Sequence, residues 1–337
     1  MFLTRSLAIR VFDPLRLTKT VRHIGAWMPR APQLRSTLER LGPFDLVHGF
    51  NLSWEASAID AHDFARTNGL RYVMTPFMHT GEPGRARVSR NYTMSHQRAA
   101  LCGSDRVIVQ TSTEARAIEA LGVERSRIVE VGVGIDPARL RGGDPDRFRA
   151  RSNGRSPLVV FIGRVTRDKG ATAVVRAMQQ LWADGVDVEC IVAGSIMPDF
   201  DRFRRALPPL PRLQLLGPID DQVKRDLLAA ADVVVMPSRA ESFGIVYLEA
   251  WLYGKPVIGA RAGGVPDIIA DGVDGWLVNF DDASQIAQAI QHLLGDPAQA
   301  AAMGAHGHAK VEQYYTWDRI YGLLANIYGD LIEQRKR

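Results

Sequence analysis

The chain has 337 residues, 46% of them hydrophobic in type, and a formal net charge of +5. That is length enough for two cores of ordinary size, and no window approaches the unbroken apolar run of a membrane-spanning helix. Arg5 and Arg10 interrupt the short apolar pieces of the N-terminus, which makes a poor secretory signal, and Cys102 and Cys190 stand at no metal-like spacing, so a reduced cytoplasm fits.

Residues 1 to 43 offer one strand, Leu7 to Phe12, and broken helical pieces around Pro29 and Pro32. Strand-like segments then follow at Leu46 to Phe50, Tyr72 to Phe77, Arg106 to Thr111 and Ile128 to Val133. Helical patterns near Ala56 to Thr67, Ser95 to Gly103 and Thr113 to Gly122 separate them, which is α/β alternation. Residues 1 to 150 hold 22 Lys and Arg against 15 Asp and Glu, net +7, and the rest is net −2. Nearly all cations of the basic half are arginine, which suits an anionic acceptor or an anionic membrane surface. A solvated arginine-rich surface is the plainer alternative. Nucleic acid is not expected as a partner, because no zinc-finger spacing or aromatic RNA-binding signature accompanies the charge.

Gly142 to Pro157, rich in Gly, Pro and Asp and carrying Arg147, Arg149, Arg151 and Arg155, reads as a linker between domains. The first domain is then 1–141. A second alternation occupies 158–315, with strands near 158–163, 188–194, 213–219, 233–237, 256–260 and 276–279, enough for a doubly wound sheet. The pattern is helical from Asp282 to the end.

Two turns of this second domain carry chemistry. The apolar strand Leu158 to Ile162 runs into Gly163, Arg164, Val165, Thr166, Arg167, Asp168, Lys169 and Gly170. Two glycines and three cations at a strand-to-helix turn suit a diphosphate, with Arg164 forking onto oxygens and Lys169 acting as a point charge. The strand Val233 to Met236 leads through Pro237, Ser238, Arg239 and Ala240 to Glu241, and then to a nearly all-apolar helix with one carboxylate, Glu249. The unpaired N–H groups at the helix start make Ser242, Phe243, Gly244 and Ile245 a candidate phosphate cradle, and Glu241 is better placed to accept hydrogen bonds from sugar or ribose hydroxyls. The alternative makes Glu241 a helix N-cap variant and Glu249 an ordinary exposed glutamate.

The pairing of Gly163-Arg164-x4-Lys169-Gly170 with Glu241-x7-Glu249, followed by Gly254, Pro256 and the loop Gly263-Gly264-Val265-Pro266, resembles the nucleotide-binding half of retaining glycosyltransferases of family 4. The likeness is densest from Leu158 to Val278, and weaker from Phe44 to Leu140 and through the last helix. It implies an α/β fold of the GT-B type, two Rossmann-like doubly wound domains facing across a cleft, with residues 316–337 as a helix that crosses back to the first domain. The activity implied is metal-independent transfer of a sugar, with retention, from a nucleotide diphosphate sugar to a hydroxyl of a glycan, lipid or small molecule. No cofactor is expected beyond that donor. Arg164, Lys169 and the N–H groups from Gly244 to Val246 would meet the diphosphate, Glu241 the sugar hydroxyls, Glu249 the ribose and the backbone around Gly217 to Ile219 the base. His79 matches the family position that touches the donor sugar, and the loop after it, with Arg85, Arg87 and Arg90, would meet the acceptor. A cytoplasmic protein, peripheral at the inner membrane face, is the corresponding expectation.

The resembled family opens with a short strand ending in a glycine-rich loop, and none precedes Asp45. The first domain is therefore expected to be incomplete, either because the natural chain starts upstream or because the protein does without the loop. Asp267 stands where the family commonly has Glu, and Val133 where Asn is usual. Two rival functions keep the same site: a non-catalytic nucleotide-sugar binding subunit that needs a partner, and a sugar-nucleotide epimerase. The pairs Asp144/Asp146 and Asp199/Asp201 read as turns or helix starts rather than metal ligands. His306 and His308, two apart on a helix, face different directions. Gly132-Val133-Gly134 lacks the third glycine of a dinucleotide fingerprint.

Overall fold

The computed structural model describes residues 31–84, 88–150 and 156–336, with Thr20 besides. The strand expected at Leu7 to Phe12, the piece around Pro29, and Arg85, Arg87, Arg151 and Arg155 lie outside the described residues, as does the side chain of Arg90. The chain divides into two compact units, one holding the described residues up to 80, those from 88 to 132 and those from 321 on, the other 81–84 and 133–320.

In the first unit four parallel strands lie in sequence order: β1 (Leu46–Phe50), β2 (Arg71–Thr75), β3 (Arg106–Val109) and β4 (Ile128–Glu130). Leu46 faces Arg71 and Phe50 faces Thr75, so β1 and β2 end level with each other. The helices Glu55–Thr67, Ser95–Cys102 and Ser112–Ala120 connect them. Tyr72, Met74, Leu101, Val107, Val109 and Ile118 fill the space between. The second strand stops at Thr75 rather than Phe77. Pro76 has no N–H to give to a ladder, and Phe77 turns to a φ of 51°. The third stops at Val109 because Thr111 already caps the next helix, its side chain accepting from the Glu114 N–H. Among the described residues the order of this sheet does not reverse.

The second unit carries six parallel strands: β5 (Leu158–Ile162), β6 (Glu189–Ala193), β7 (Leu213–Gly217), β8 (Val233–Met236), β9 (Val257–Ala260) and β10 (Gly275–Val278). Their spatial order is β10-β9-β8-β5-β6-β7. Sequence order therefore reverses between β5 and β8, and the crevice beyond the carboxyl ends of those two strands is where a doubly wound sheet receives its ligand. Every residue of β5 and β8 is buried, as continuous apolar strands covered on both faces require.

Of the stretch read as a linker, residues 142–150 are described and contain the helix Pro145–Arg149. Phe148 is buried in the core of the second unit, and Arg147 forks onto Asp226 at 2.6 Å through both Nε and Nη2. The helical tail comprises Ala283–Gly295, Pro297–Tyr314 and Trp317–Lys336. The last begins in the second unit, where Trp317 N–H donates to the Ile135 carbonyl at 3.0 Å, and its residues from 321 on belong to the first.

Candidate functional site

The turns after β5 and β8 are the two that the sequence singles out, and the strand order sets them side by side. Lys169 Nζ lies 2.7 Å from Glu241 Oε2 and donates to the Ala240 carbonyl at 2.9 Å. Both side chains are largely withdrawn from water, 17% and 14% exposed, so each compensates the other's desolvation. Two of the three N–H bonds of the ammonium are used, which leaves a third. Arg239 pairs with Asp168, and its N–H donates to the Asp168 carbonyl at 2.9 Å. Its guanidinium also lies over the Phe280 ring at 4.7 Å. The two turns are thus bolted together by two ion pairs.

Arg164 stands outside this lattice. It is exposed, and its guanidinium has no hydrogen-bonded partner among the described residues. Glu241 is not an N-cap: that place is taken by Gly244 at φ 94°, and the helix runs Ile245–Leu252. Glu241 is instead fixed through its main chain, since its carbonyl accepts the Gly264 N–H at 3.1 Å. A Cβ on Gly263, whose φ is +61°, would fall 2.1 Å from that same carbonyl oxygen, so the Gly-Gly loop is small because it grips Glu241.

Ser242 is half-buried before the helix, whereas the Phe243 ring is core, packed edge-on against Tyr315 at 5.3 Å, so Phe243 has only its main chain to offer a ligand. Ile245 is 46% exposed and Val246 half-buried at the open helix end. Glu249 is buried, 8% exposed, which removes the ordinary-glutamate alternative. Burial raises its pKa, and Lys224 Nζ at 2.5 Å works against that rise. Lys224 was missed in the sequence reading. A search for the cation that an embedded carboxylate needs would have raised it as a candidate.

Glycines close three neighbouring strands: Gly163 follows β5, Gly194 follows β6 and Gly217 is the last residue of β7. Gly163 N–H donates to Ala193 O at 3.0 Å, and Gly194 N–H donates to Gly217 O at 2.7 Å. A Cβ on Gly194 would stand 1.8 Å from the Gly163 carbonyl oxygen, so the rim of β5, β6 and β7 is a ledge of bare peptide groups. Ile219, half-buried against the core, borders it two residues beyond Gly217. Gly194 was also missed.

His79 lies in the first unit, half-buried beyond β2, its ring edge-on to Tyr92 at 5.6 Å. Asp144 caps the helix Pro145–Arg149, Asp199 accepts the Arg167 N–H at 2.8 Å, and Asp201 pairs with Arg204 and Arg205. A surface hollow of about 740 Å³ is lined by Arg176, Gln179, Asn279, Phe280 and Asp281 among others, and does not include Glu241 or Lys169. Among the described residues no helix is long and apolar enough to cross a membrane.

Two parallel-sheet α/β units, the second with six strands and one reversal of strand order, are the architecture of GT-B type glycosyltransferases. The family model described as glycosyl transferases group 1 matches residues 144–310, and one described as glycosyl transferase 4-like domain matches 5–134. D-inositol 3-phosphate glycosyltransferase 1 of Catenulispora acidiphila is 30% identical over 96% of this chain and 79% of its own length. The chain belongs to the group 1 glycosyl transferase family. Alpha-maltose-1-phosphate synthase of Mycobacterium tuberculosis is 31% identical over 66% of this chain and 56% of its own length. Against the curated relatives after the first, the chain spans little more than half of their length. In fold it is similar to HepE of Anabaena, solved with UDP and glucose, at TM-score 0.73 and 20% identity, covering 89% of this chain and 81% of that one. Sucrose-phosphate synthase from Thermosynechococcus elongatus superposes at TM-score 0.76 and 23% identity, covering 91% and 81%.

Proposed function

We propose that this protein transfers a sugar, with retention and without an obligatory metal, from a nucleotide diphosphate sugar to a hydroxyl of a glycan, lipid or small molecule. The observation that carries the reading is the Lys169–Glu241 pair, which joins two turns 72 residues apart at the switch point. Charge grows on the diphosphate as it departs. Arg164, the third N–H of Lys169 and the open N–H groups of Gly244 to Val246 are the donors placed to meet it, each worth on the order of 3 kcal/mol in such sites. Glu241, held by Lys169 through one oxygen, keeps the other for sugar hydroxyls. Glu249, held by Lys224, serves the ribose, and the ledge by Gly217 and Ile219 seats the base. For His79 the resembled family implies a contact with the sugar. The arginine excess of residues 1–150 supports a cytoplasmic protein resting at the anionic inner face of a membrane.

A panel of nucleotide sugars assayed on wild type, Glu241→Ala and Arg164→Ala tests this. Turnover falls by two to three orders of magnitude in Glu241→Ala, the size usual for a lost transition-state contact. The Arg164 variant loses affinity for the nucleoside diphosphate. Unchanged affinity in Arg164→Ala, or a wild type that binds no member of the panel, overturns the assignment. Product formed with no acceptor present would indicate epimerisation instead.

A further inference from the structure

At the carboxyl end of the first unit's sheet, aromatic side chains stand in the open. Phe50, the last residue of β1, is 53% exposed, and Trp54 is 58% exposed. The Phe50 ring lies between two others, stacked on His48 at 4.0 Å and 27° and on Phe77 at 6.2 Å and 26°. The row is rigid at its base. His48 bonds Tyr328 OH at 2.5 Å through Nδ1 and Thr75 Oγ1 at 2.8 Å through Nε2, and burial holds its pKa down to about 4. The turns that carry the row are cross-tied as well, Asn51 N–H to the Thr75 carbonyl and Leu52 N–H to the Pro76 carbonyl, both at 2.9 Å.

The backbone there is strained. Asn51 has φ 64° and Phe77 φ 51°, and an aromatic residue in the left-handed region costs on the order of 1–3 kcal/mol. Such strain is retained where the surrounding structure enforces it, and it concentrates at ligand sites. Here the neighbours enforce it, the Pro76 carbonyl accepting Leu52 N–H at 2.9 Å and the buried Met78 donating its N–H to Glu114 at 2.6 Å, and the ring so aimed is Phe77, beside the exposed Phe50.

We propose that Phe50, Trp54 and Phe77 seat a neutral sugar ring of an oligosaccharide acceptor, an inference that rests on the glycosyltransferase reading and gives its acceptor a chemical class. The C–H face of a pyranose carries weak positive charge and lies flat on the negative face of an aromatic ring. Asn51 and Ser53, in the turn that follows Phe50, are neutral hydrogen-bonding groups, with Ser53 Oγ on Asn51 Oδ1 at 2.5 Å. Between Leu46 and Ala58 the ionisable side chains are His48, uncharged near neutrality, and Glu55, buried against His96 at 2.7 Å. A phosphorylated acceptor finds no counter-charge in that segment. A lipid tail would need an enclosed apolar trough, and Phe50 and Trp54 are open to solvent.

Ligand-observed NMR titration of the full chain with maltotriose and α-1,6-mannotriose tests the site, with phosphatidylglycerol vesicles in a parallel sedimentation arm. At least one trisaccharide binds wild type, and Phe50→Ala and Trp54→Ala each weaken it about tenfold or more. Phe50→Tyr keeps the stacking face and retains binding. Leu41→Ser, also at an exposed position (63%) but outside the stack, changes nothing. The inference is overturned if neither trisaccharide binds, if binding survives the double alanine variant, or if the variants lose vesicle binding and not sugar. UDP binding on the same samples reads the donor site separately: UDP bound without any trisaccharide effect removes this inference alone, and no nucleotide binding removes the broader one.

Discussion

Buried at the start of the helix Ser112–Ala120, the Glu114 carboxylate accepts the N–H groups of Met78 at 2.6 Å and Gln110 at 2.7 Å, tying together the turns after β2 and β3. Burial pushes its pKa up to about 7, against the pull of those two donors. Once unfolded it ionises near its ordinary 4.5, so the stability present below that pH declines as pH climbs toward 7, by on the order of 3 kcal/mol. His48 acts in the opposite sense. Its contribution is present above its ordinary 6.5 and is lost as pH falls toward 4, so the two slopes oppose each other across the overlap. Urea denaturation of Glu114→Gln at several pH values exposes the histidine's slope: the variant, less stable overall, gains stability as pH rises from 5 to 6.5, while wild type changes little. Parallel curves for the two proteins would rule this out. Nothing in the spacing of residues 112–120 marks Glu114, because burial of a helix's first turn is decided by strands distant in sequence. Arg164, Lys169 and Glu241 stand out in the sequence because the turns that carry them follow apolar strands, and such turns lie at a sheet's rim.

Strand positions of the second unit follow from its apolar runs to within two residues, and the fully buried β5 and β8 to within one. Boundaries moved where a single residue intervened: Gly244 delays the helix expected from Ser242 until Ile245, and Asp296 with Pro297 breaks the helical tail. Close packing between elements was less legible. Within Pro297–Tyr314, Gly307 faces the Trp251 indole so closely that an added Cβ would fall 2.0 Å from the ring, and at Gly304 it would fall 1.8 Å from the Gly254 carbonyl oxygen. The sequence shows only an alanine- and glycine-rich helix, with no sign of which face it buries. Gly307→Ala has the better helix former yet is expected to be less stable by about 1–3 kcal/mol, because the indole is enclosed and cannot yield. A lower urea midpoint with an unchanged slope is the expected reading, and a stabilised variant would mean the helices can separate freely.

At the scale of the molecule, Trp317–Lys336 is the one helix among the described residues that both units share, and it matters differently to each. The second holds its start through Ile135. The first holds Leu331, only 1% exposed, the Tyr328–His48 bond, and Arg335 on the carbonyls of Phe44 and Asp45. Removing residues 321–337 therefore lowers the melting of the first unit, the loss of Leu331 alone standing for roughly 2–4 kcal/mol, and leaves the second near its original midpoint. Calorimetry separates the two, and a truncated chain with both transitions unmoved would contradict the assignment. The glycine ledge at the rim of β5, β6 and β7 carries a different consequence. The three glycines bring no side chain of their own to that rim, so substitution there adds atoms instead of exchanging them. On the proposed seating of the base at this ledge, a change of nucleobase preference comes from the walls, around Ile219 and the turns beyond, while the floor stays constant.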